Sequence, residues 1–464
     1  MFYLLLALGA CVVIATAVRR GSQTALALAV TLTFVFPCWM YRDAGGVRLD
    51  LRQCLSMLAI ACCLLDPRVR LGGRLVLTDL LVVALAVSNV ASEMANDIVT
   101  VTMMANIVIV WLLPYTIGRL LQLDAQGLRR AVPWIAGGVA FIALFAVIES
   151  ITRVNITHLI TGHEGSLQGN TDFRWGLRRA EGTLTHPIFF GMVLVMTLPW
   201  TIEAARRARA RVAPDWYRWL PWITAGGAFF TMSRGPQLAI LGTMTVVAWF
   251  RSRAWRPILT CAAIVVVLVV TLGQSAVVNL LHAWSGESKH EMVEIRGELY
   301  EYSGTTHRLL QWIVFRDAID HAGWLGFGST PLMSGKNRLP HVEEHLREKF
   351  SSIDNHYIEF TLRCGYLGVV LFVGLGLTAI VYLVGPALQT TGELSWFAAT
   401  LAGAQLLVLL NLAAVWFATD FSFVWLFNVG IAASIRSTIL GSRTATTARR
   451  AVLLPRHLCP GHPA

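Results

Sequence analysis

Long apolar runs alternate with short polar segments along nearly the whole chain. Such runs can cross about 30 Å of hydrocarbon, where every backbone N–H and C=O must be paired within the protein, so they predict membrane helices. The predicted spans are 2–18, 24–40, 52–65, 77–92, 98–117, 131–150, 187–203, 217–232, 236–250, 257–280, 356–384, 395–417 and 422–440. We therefore predict an all-α polytopic membrane protein with about 12–14 transmembrane helices.

Two longer polar segments divide these runs, and the second contains helical spacing of its own. Leu309, Leu310, Ile313 and Val314 recur at the period of an amphipathic helix, so this large loop is predicted to carry short helices. The predicted organisation is 1–150 N-terminal transmembrane helices, 151–186 loop, 187–280 transmembrane helices, 281–355 large loop, 356–440 C-terminal transmembrane helices and 441–464 tail.

Composition agrees with this class. The chain is 55% hydrophobic and 14% charged, with a mean hydropathy of +0.60, whereas soluble domains carry about 25% charged residues. In a soluble protein, the net charge of +11 would suggest nucleic-acid binding. Here the Arg residues cluster in short loops between apolar runs, which is the positive-inside pattern, so no nucleic-acid partner is expected.

The Arg distribution also predicts sidedness. The basic segments 204–216, 251–256 and 441–464 are expected to be cytoplasmic. Threading the spans from them places the loops 151–186 and 281–355 on the opposite, outer face. Long outer loops that carry Arg, His and carboxylates are not needed to join helices, so they are expected to form the functional face.

No metal or cofactor is expected from the sequence. Most of the eight Cys residues lie within apolar runs, and none shows CxxC or zinc-ligand spacing. His341 and His345, with Glu343 and Glu344 between them, come nearest to a metal-ligand cluster, but no established metal motif supports them.

Arg234, in Ser233-Arg234-Gly235-Pro236, is the first candidate site residue. It lies between two apolar spans on the outer side, where a topogenic Arg is not required. Its guanidinium presents a planar fork suited to phosphate. Gly-Pro is expected to break the helix there, and broken backbone is tolerated where it lines a cavity. The alternative is an interfacial Arg whose stem lies along apolar surface.

Arg308 and the segment Asp354-Asn355-His356 are the other candidates. Arg308 is predicted at the start of an amphipathic helix, where anions are favoured, although a solvated Arg at a helix start would look the same. His356 opens an apolar span, with Asp354 or Glu359 as possible orienting partners. Alternatively, Asp354 or Asn355 is an N-cap and His356 only steadies the interface.

An ordered set of motifs over about residues 175–385 resembles one family, the O-antigen ligase and O-antigen polymerase superfamily of bacterial lipid-linked glycan ligases and polymerases. The motifs are Arg179-Ala180-Glu181-Gly182-Thr183 with Pro187, Ser233-Arg234-Gly235, Arg308 with Trp312, Gly326-Phe327-Gly328, Asp354-Asn355-His356 and Cys364-Gly365-Tyr366-Leu367-Gly368.

The resemblance implies a metal-independent, inverting glycosyltransferase of the membrane-embedded C-type class. Such an enzyme, in the bacterial inner membrane, uses a glycan on undecaprenyl diphosphate at the periplasmic face, in surface polysaccharide, O-antigen or exopolysaccharide assembly. By motif, Arg234 and Arg308 would hold the diphosphate and His356 would serve the acceptor hydroxyl. Arg179 and Asp354 are further substrate-binding candidates.

Two questions stay open at the level of sequence. The acceptor, which is a glycan, a lipid or a protein, is not identified, so ligase and polymerase are both possible. The strongly charged stretch 329–353 departs from the family pattern and is a candidate determinant of acceptor choice. A transporter or flippase of a lipid-linked or anionic substrate is the alternative function. Matching interrupted helices in two halves would favour it, and none is evident.

Overall fold

The computed structural model is a helical bundle, as predicted. It describes residues 1–67, 74–97, 99–163, 173–272, 291–303, 306–329, 339–389, 392 and 394–453. Seven helices of the described chain are long and apolar enough to cross a membrane, and four shorter apolar helices accompany them. The fold class of an all-α polytopic membrane protein is therefore confirmed, and each predicted span overlaps a helix.

The bundle helices are α1 (Phe2–Arg20), α2 (Ser22–Val35), α3 (Leu51–Leu65), α4 (Leu77–Ala95), α5 (Val101–Leu120), α6 (Ala125–Thr152), α8 (Pro187–Arg209), α9 (Leu220–Phe230), α10 (Arg234–Arg251), α11 (Trp255–Leu272), α15 (His356–Leu388), α16 (Ser395–Asn411) and α17 (Thr419–Leu453). The shorter elements are α7 (Ile156–Thr161), a 3-10 helix (Asp215–Trp219), α12 (His307–Val314), α13 (Arg316–Ala322), α14 (Glu344–Lys349) and the antiparallel hairpins β1 (Tyr41–Ala44) with β2 (Val47–Asp50), β3 (Phe173–Arg174) with β4 (Leu177–Arg178), and β5 (Glu291–Ile295) with β6 (Glu298–Tyr302).

Small residues allow the central helices to pack closely. A Cβ on Gly118 of α5 would lie 2.1 Å from Phe427 O of α17, and a Cβ on Gly430 would lie 2.2 Å from Tyr115 O. Larger side chains would therefore separate α5 from α17. Close approach at small residues is a general way of joining helices where hydrocarbon, rather than water, surrounds them.

The large loop folds into a unit with its own core, which we call the hairpin–helix unit (β5, β6, α12, α13 and α14). Val293, Leu310, Phe315 and Phe350 are buried together, and Ile358 of α15 joins the same cluster. The short helices were predicted, whereas the β5–β6 hairpin was not. Because its core includes Ile358, the unit is fixed on the first turn of α15. Gly304 and Thr305, before α12, and Lys336 and Arg338, in the charged stretch, lie outside the described residues.

The Gly-x-Gly motif docks against a kink in α15. Phe327 N–H donates to Leu362 O at 2.7 Å, so the loop after α13 pairs with the backbone of the helix. Gly365 has φ 68° and ψ −173° inside α15, and a Cβ there would lie 2.2 Å from Trp324 C. A Cβ on Gly326 would meet Arg363 O at 2.5 Å. The two glycine motifs therefore form one backbone-on-backbone contact.

Candidate functional site

The β3–β4 hairpin fastens to the turn between α9 and α10. Arg174 donates from Nη1 to Met232 O at 2.8 Å, and Arg179, just after β4, donates from Nη2 to Ser233 Oγ at 3.2 Å. Met232 has φ +50°, so the chain breaks before α10 rather than at Gly235-Pro236, which lies in the first helical turn. The prediction that Gly-Pro breaks the helix is therefore wrong by three residues. The hairpin brings the segment before α8 next to the Ser-Arg-Gly motif.

Arg308 lies in the first turn of α12, as its spacing predicted. The apolar face of α12, with Leu310 and Val314, packs into the hairpin–helix unit and leaves Arg308 at the edge of that unit. Its Nη2 lies 3.9 Å from Asp354 Oδ2, and Ser352 Oγ donates to Asp354 Oδ1 at 3.0 Å. At 3.9 Å the Arg308–Asp354 contact is a loose ion pair, so the guanidinium still has donors for a ligand.

These residues surround a cavity of about 270 Å³ at the end of the bundle where α8 and α15 begin. Among the described lining residues, Arg174, Arg179 and Arg308 contribute three guanidinium groups, and Asp354 contributes one carboxylate. The described lining residues are Arg174, Arg179, His186, Ile188, Phe189, Arg308, Ser352, Asp354, Ala414, Val415 and Trp416. With His186 neutral, the formal charge of the lining is +2, which suits a multiply charged anion.

His186 is held neutral at the wall of this cavity. It is the N-cap of α8, and its Nδ1 accepts from the Ile188 N–H at 3.2 Å. Burial, and then the neighbouring Arg179 guanidinium, lower the pKa of His186 to about 4. At neutral pH the ring therefore adds a polar edge to the cavity but no positive charge.

His356 is the first residue of α15, and its environment separates it from solvent. Asn355 is the N-cap and accepts from the Tyr357 and Ile358 N–H groups, at 3.0 and 3.2 Å. The backbone N–H of His356 donates to Leu412 O at 2.9 Å. Of the two alternatives left open by the sequence, Asn355 rather than Asp354 is thus the cap.

Within the described part of the chain, the His356 ring has one polar partner, Glu359, and is surrounded by aromatic rings. Its Nδ1 lies 3.1 Å from Glu359 Oε2, and a carboxylate can only accept, so Nδ1 is the donor in that bond. The rings of Phe360, Phe372 and Phe417 lie with centroids 4.8–5.0 Å from the imidazole. Among the residues that the structure describes, Nε2 has no hydrogen-bond partner. With its proton on Nδ1, a neutral His356 carries its lone pair on Nε2.

The comparison with known families bears on this region. Residues 219–373, about a third of the chain, match a family model described as O-antigen ligase. This match supports the resemblance of the chain to the O-antigen ligase and O-antigen polymerase superfamily. No curated protein matches it. The matched O-antigen ligase region contains Arg234, Arg308, Asp354 and His356, whereas Arg179 lies before it.

The cavity is lined by some of the O-antigen ligase motif residues but not by all of them. Arg179, Arg308 and Asp354 line one cavity, although they come from three separate segments. Arg234 and His356 are not among its described lining residues. Arg234 directly follows Ser233, to which Arg179 is bonded. The convergence of Arg234 with Arg308 therefore stays a prediction.

One segment contacts both the cavity and His356. Ala414, Val415 and Trp416 line the cavity, while Leu412 O accepts from the His356 N–H and the Phe417 ring packs against the imidazole. We call residues 412–418, which connect α16 to α17, the aromatic segment. His356 is thus linked to the cavity through this segment but is not among its described lining residues.

Arg174 and His186 are cavity residues to which the sequence analysis assigned no role. Arg174 precedes Arg179 by five residues, and a hairpin between them could have been inferred from Trp175-Gly176. His186 precedes Pro187, and an N-cap followed by Pro at the first helical position is a recognisable helix start.

A larger cavity, of about 690 Å³, lies at the other end of α17 and carries none of the motif residues; Arg74, Asp79, Tyr115 and Arg119 line part of it. Among the residues that the structure describes, no group of three or more His, Cys, Asp or Glu side chains is placed to hold a metal ion.

Proposed function

We propose that this protein transfers a glycan from undecaprenyl diphosphate to an acceptor hydroxyl at the periplasmic face of the bacterial inner membrane. The observation that carries the proposal is the cavity with three guanidinium groups, two of which belong to motifs of the O-antigen ligase type. The family match supports glycan transfer of this general kind.

The cationic cavity is assigned to the diphosphate of the donor. When the glycosidic bond breaks, its electron pair leaves with the diphosphate, whose negative charge rises. Arg174, Arg179 and Arg308 are already held by backbone, hydroxyl and carboxylate contacts, so they stabilise this charge with little reorganisation. Arg234, next to Ser233, is expected to reach the same anion. No metal is required in this assignment, because the guanidinium groups supply the positive charge.

His356 is assigned to the acceptor. The acceptor oxygen forms the new bond to the anomeric carbon from the face opposite the departing diphosphate, which inverts the configuration. Its proton passes to Nε2, the nitrogen that lacks a partner among the described residues. Glu359 at Nδ1 fixes the tautomer and stabilises the imidazolium that forms.

Access to His356 requires a local movement. In this assignment the aromatic segment, which contacts both the cavity and the imidazole, lies on the path of the acceptor, so the acceptor reaches Nε2 only when Phe417 moves aside. This arrangement would keep water away from the glycosyl centre until an acceptor displaces the ring.

The test is transfer by purified protein in liposomes that contain an undecaprenyl-diphosphate-linked glycan. Arg308→Ala and Arg179→Ala should each lower the rate of glycan transfer about 10- to 100-fold, because each loses a charge-assisted contact worth about 1.5–3 kcal/mol. Lys should rescue poorly, because it cannot form a bidentate fork. Arg218→Ala, at an exposed Arg paired with Asp215, is the control. Movement of the donor across the bilayer without a new glycosidic bond would favour the transporter alternative.

A further inference from the structure

Four ionisable side chains form a chain that links His356 to α4. His356 Nδ1 lies 3.1 Å from Glu359 Oε2. Arg363 lies one turn of α15 after Glu359 and interacts electrostatically with the Glu359 carboxylate. Arg363 Nε then lies 3.5 Å from Glu93 Oε1 of α4. Glu93 is 1% exposed, and its Oε2 accepts from both the N–H and the Oγ of Ser329, each at 3.0 Å.

Glu93 is an expensive residue at this position. A carboxylate on an apolar membrane helix must be compensated, and such residues are usually functional. It is not needed to attach α4 to α15, because other bonds do so. Ser92 Oγ donates to Arg363 O at 2.6 Å, and Cys364 Sγ donates to Asn89 Oδ1 at 3.2 Å. The carboxylate of Glu93 therefore needs a reason other than helix docking.

The charges of these four linked side chains supply a reason for the Glu93 carboxylate. Glu359 lies between two positively charged or proton-binding neighbours, Arg363 on one side and His356 on the other. If Arg363 had no other carboxylate, it would pair fully with Glu359 and compete with the imidazole. Glu93 provides that second carboxylate. The set of Glu93, Arg363, Glu359 and a neutral imidazole then carries one net negative charge, which offsets the positive charge that develops when His356 takes a proton.

We propose that Glu93 is a positioning residue for glycan transfer: by holding Arg363, it leaves the Glu359 carboxylate available to His356. This inference rests on the proposed function of His356 as the acceptor base. It also couples the base to Ser329, which directly follows the Gly-x-Gly motif, through the Glu93 carboxylate. Glu93 precedes the matched O-antigen ligase region, so the family match does not cover it.

The first experiment compares Glu93→Gln with Glu203→Gln. Gln keeps the size of Glu and an oxygen for the Ser329 N–H, and Glu203 is an equally buried carboxylate, paired with Arg206 and Arg207 on α8. We expect Glu93→Gln to lower kcat at least about 10-fold, since small displacements of a catalytic group cost this much or more. The KM for donor and the thermal midpoint should stay near wild type. Glu203→Gln should leave kcat unchanged, and unchanged kcat in Glu93→Gln would overturn the proposal.

A second comparison removes both charges of the Glu93–Arg363 pair, so it also covers the case in which Glu93→Gln alone does not accumulate because Arg363 has lost that partner. In an Arg363→Gln background the competitor for Glu359 is absent, so adding Glu93→Gln should change kcat less than about threefold. A further tenfold loss in the double variant would show that Glu93 acts independently of Arg363 and would refute the mechanism. If His356→Ala still transfers glycan, the proposed base itself is wrong; if only the Glu93 variants are harmless, the inference alone fails.

Discussion

Gly365→Ala should uncouple the Gly-x-Gly loop from α15. Gly365 has φ 68° and ψ −173°, a region that residues with a side chain rarely occupy. The added Cβ would lie 2.2 Å from Trp324 C and 2.4 Å from Leu325 N, where 3.4 Å is the start of ordinary contact. The loop backbone would have to retreat by about 1 Å, and it cannot rotate away as a side chain could.

The magnitude follows from two independent costs. Backbone strain at such a φ and ψ costs about 1–3 kcal/mol, and overpacking against fixed atoms costs about 1–3 kcal/mol, so we expect a loss of about 2–6 kcal/mol. The assay is the thermal midpoint of the detergent-purified protein together with glycan transfer. Gly374→Ala is the matched control on the same helix, because a Cβ there meets nothing within 4 Å. Equal midpoints for the two variants would refute the contact between the glycine motifs.

Three further predictions concern the same end of the bundle. Because burial lowers the pKa of His186 from 6.5 to about 4, the unfolded chain binds more protons than the folded one between these values, so stability should fall as the pH drops from about 6.5 to about 4. His186→Asn keeps an N-cap acceptor and should flatten the profile of melting temperature against pH over that window. An unchanged profile would contradict a buried, neutral His186. Asn355→Ala should cost about 0.5–2 kcal/mol of stability in thermal unfolding and Asn355→Ser less, because only Ala removes the N-cap acceptor; equal losses would argue against the cap. In intact cells that express the protein without its native Cys residues, a membrane-impermeant thiol reagent should label Glu298→Cys and spare Val212→Cys. The reverse labelling pattern would contradict the predicted sidedness of the two loops.

The helical bundle was predictable because hydrocarbon leaves the backbone few choices. Apolar runs long enough to span it must be helices, so even the short span 217–232 was found, as a 3-10 turn followed by α9. The amphipathic spacing after Arg308 likewise gave α12. The β5–β6 hairpin was missed, because its alternation is spread over polar residues such as Glu294 and Glu298 and gives little hydrophobic period.

The site was only partly predictable. Arg179, Arg308 and Asp354 were identified by residue type and position, and they line one cavity. Arg174 was not singled out, since its role depends on a hairpin that folds it back onto Met232 O. The Glu93–Arg363 contact joins positions 270 residues apart, and no local pattern indicates such a pairing.

The central claim is that His356 takes the proton of the acceptor while the Arg residues hold the donor. The most direct measurement is glycan transfer by His356→Gln in donor-containing liposomes, made alongside binding of the lipid-linked donor. Gln retains much of the size and hydrogen bonding of His but cannot accept the proton at neutral pH, so transfer should fall by about 10²- to 10⁴-fold while donor binding is kept. His321→Gln, at an exposed His of α13, should transfer normally. Near-normal transfer by His356→Gln would contradict the account.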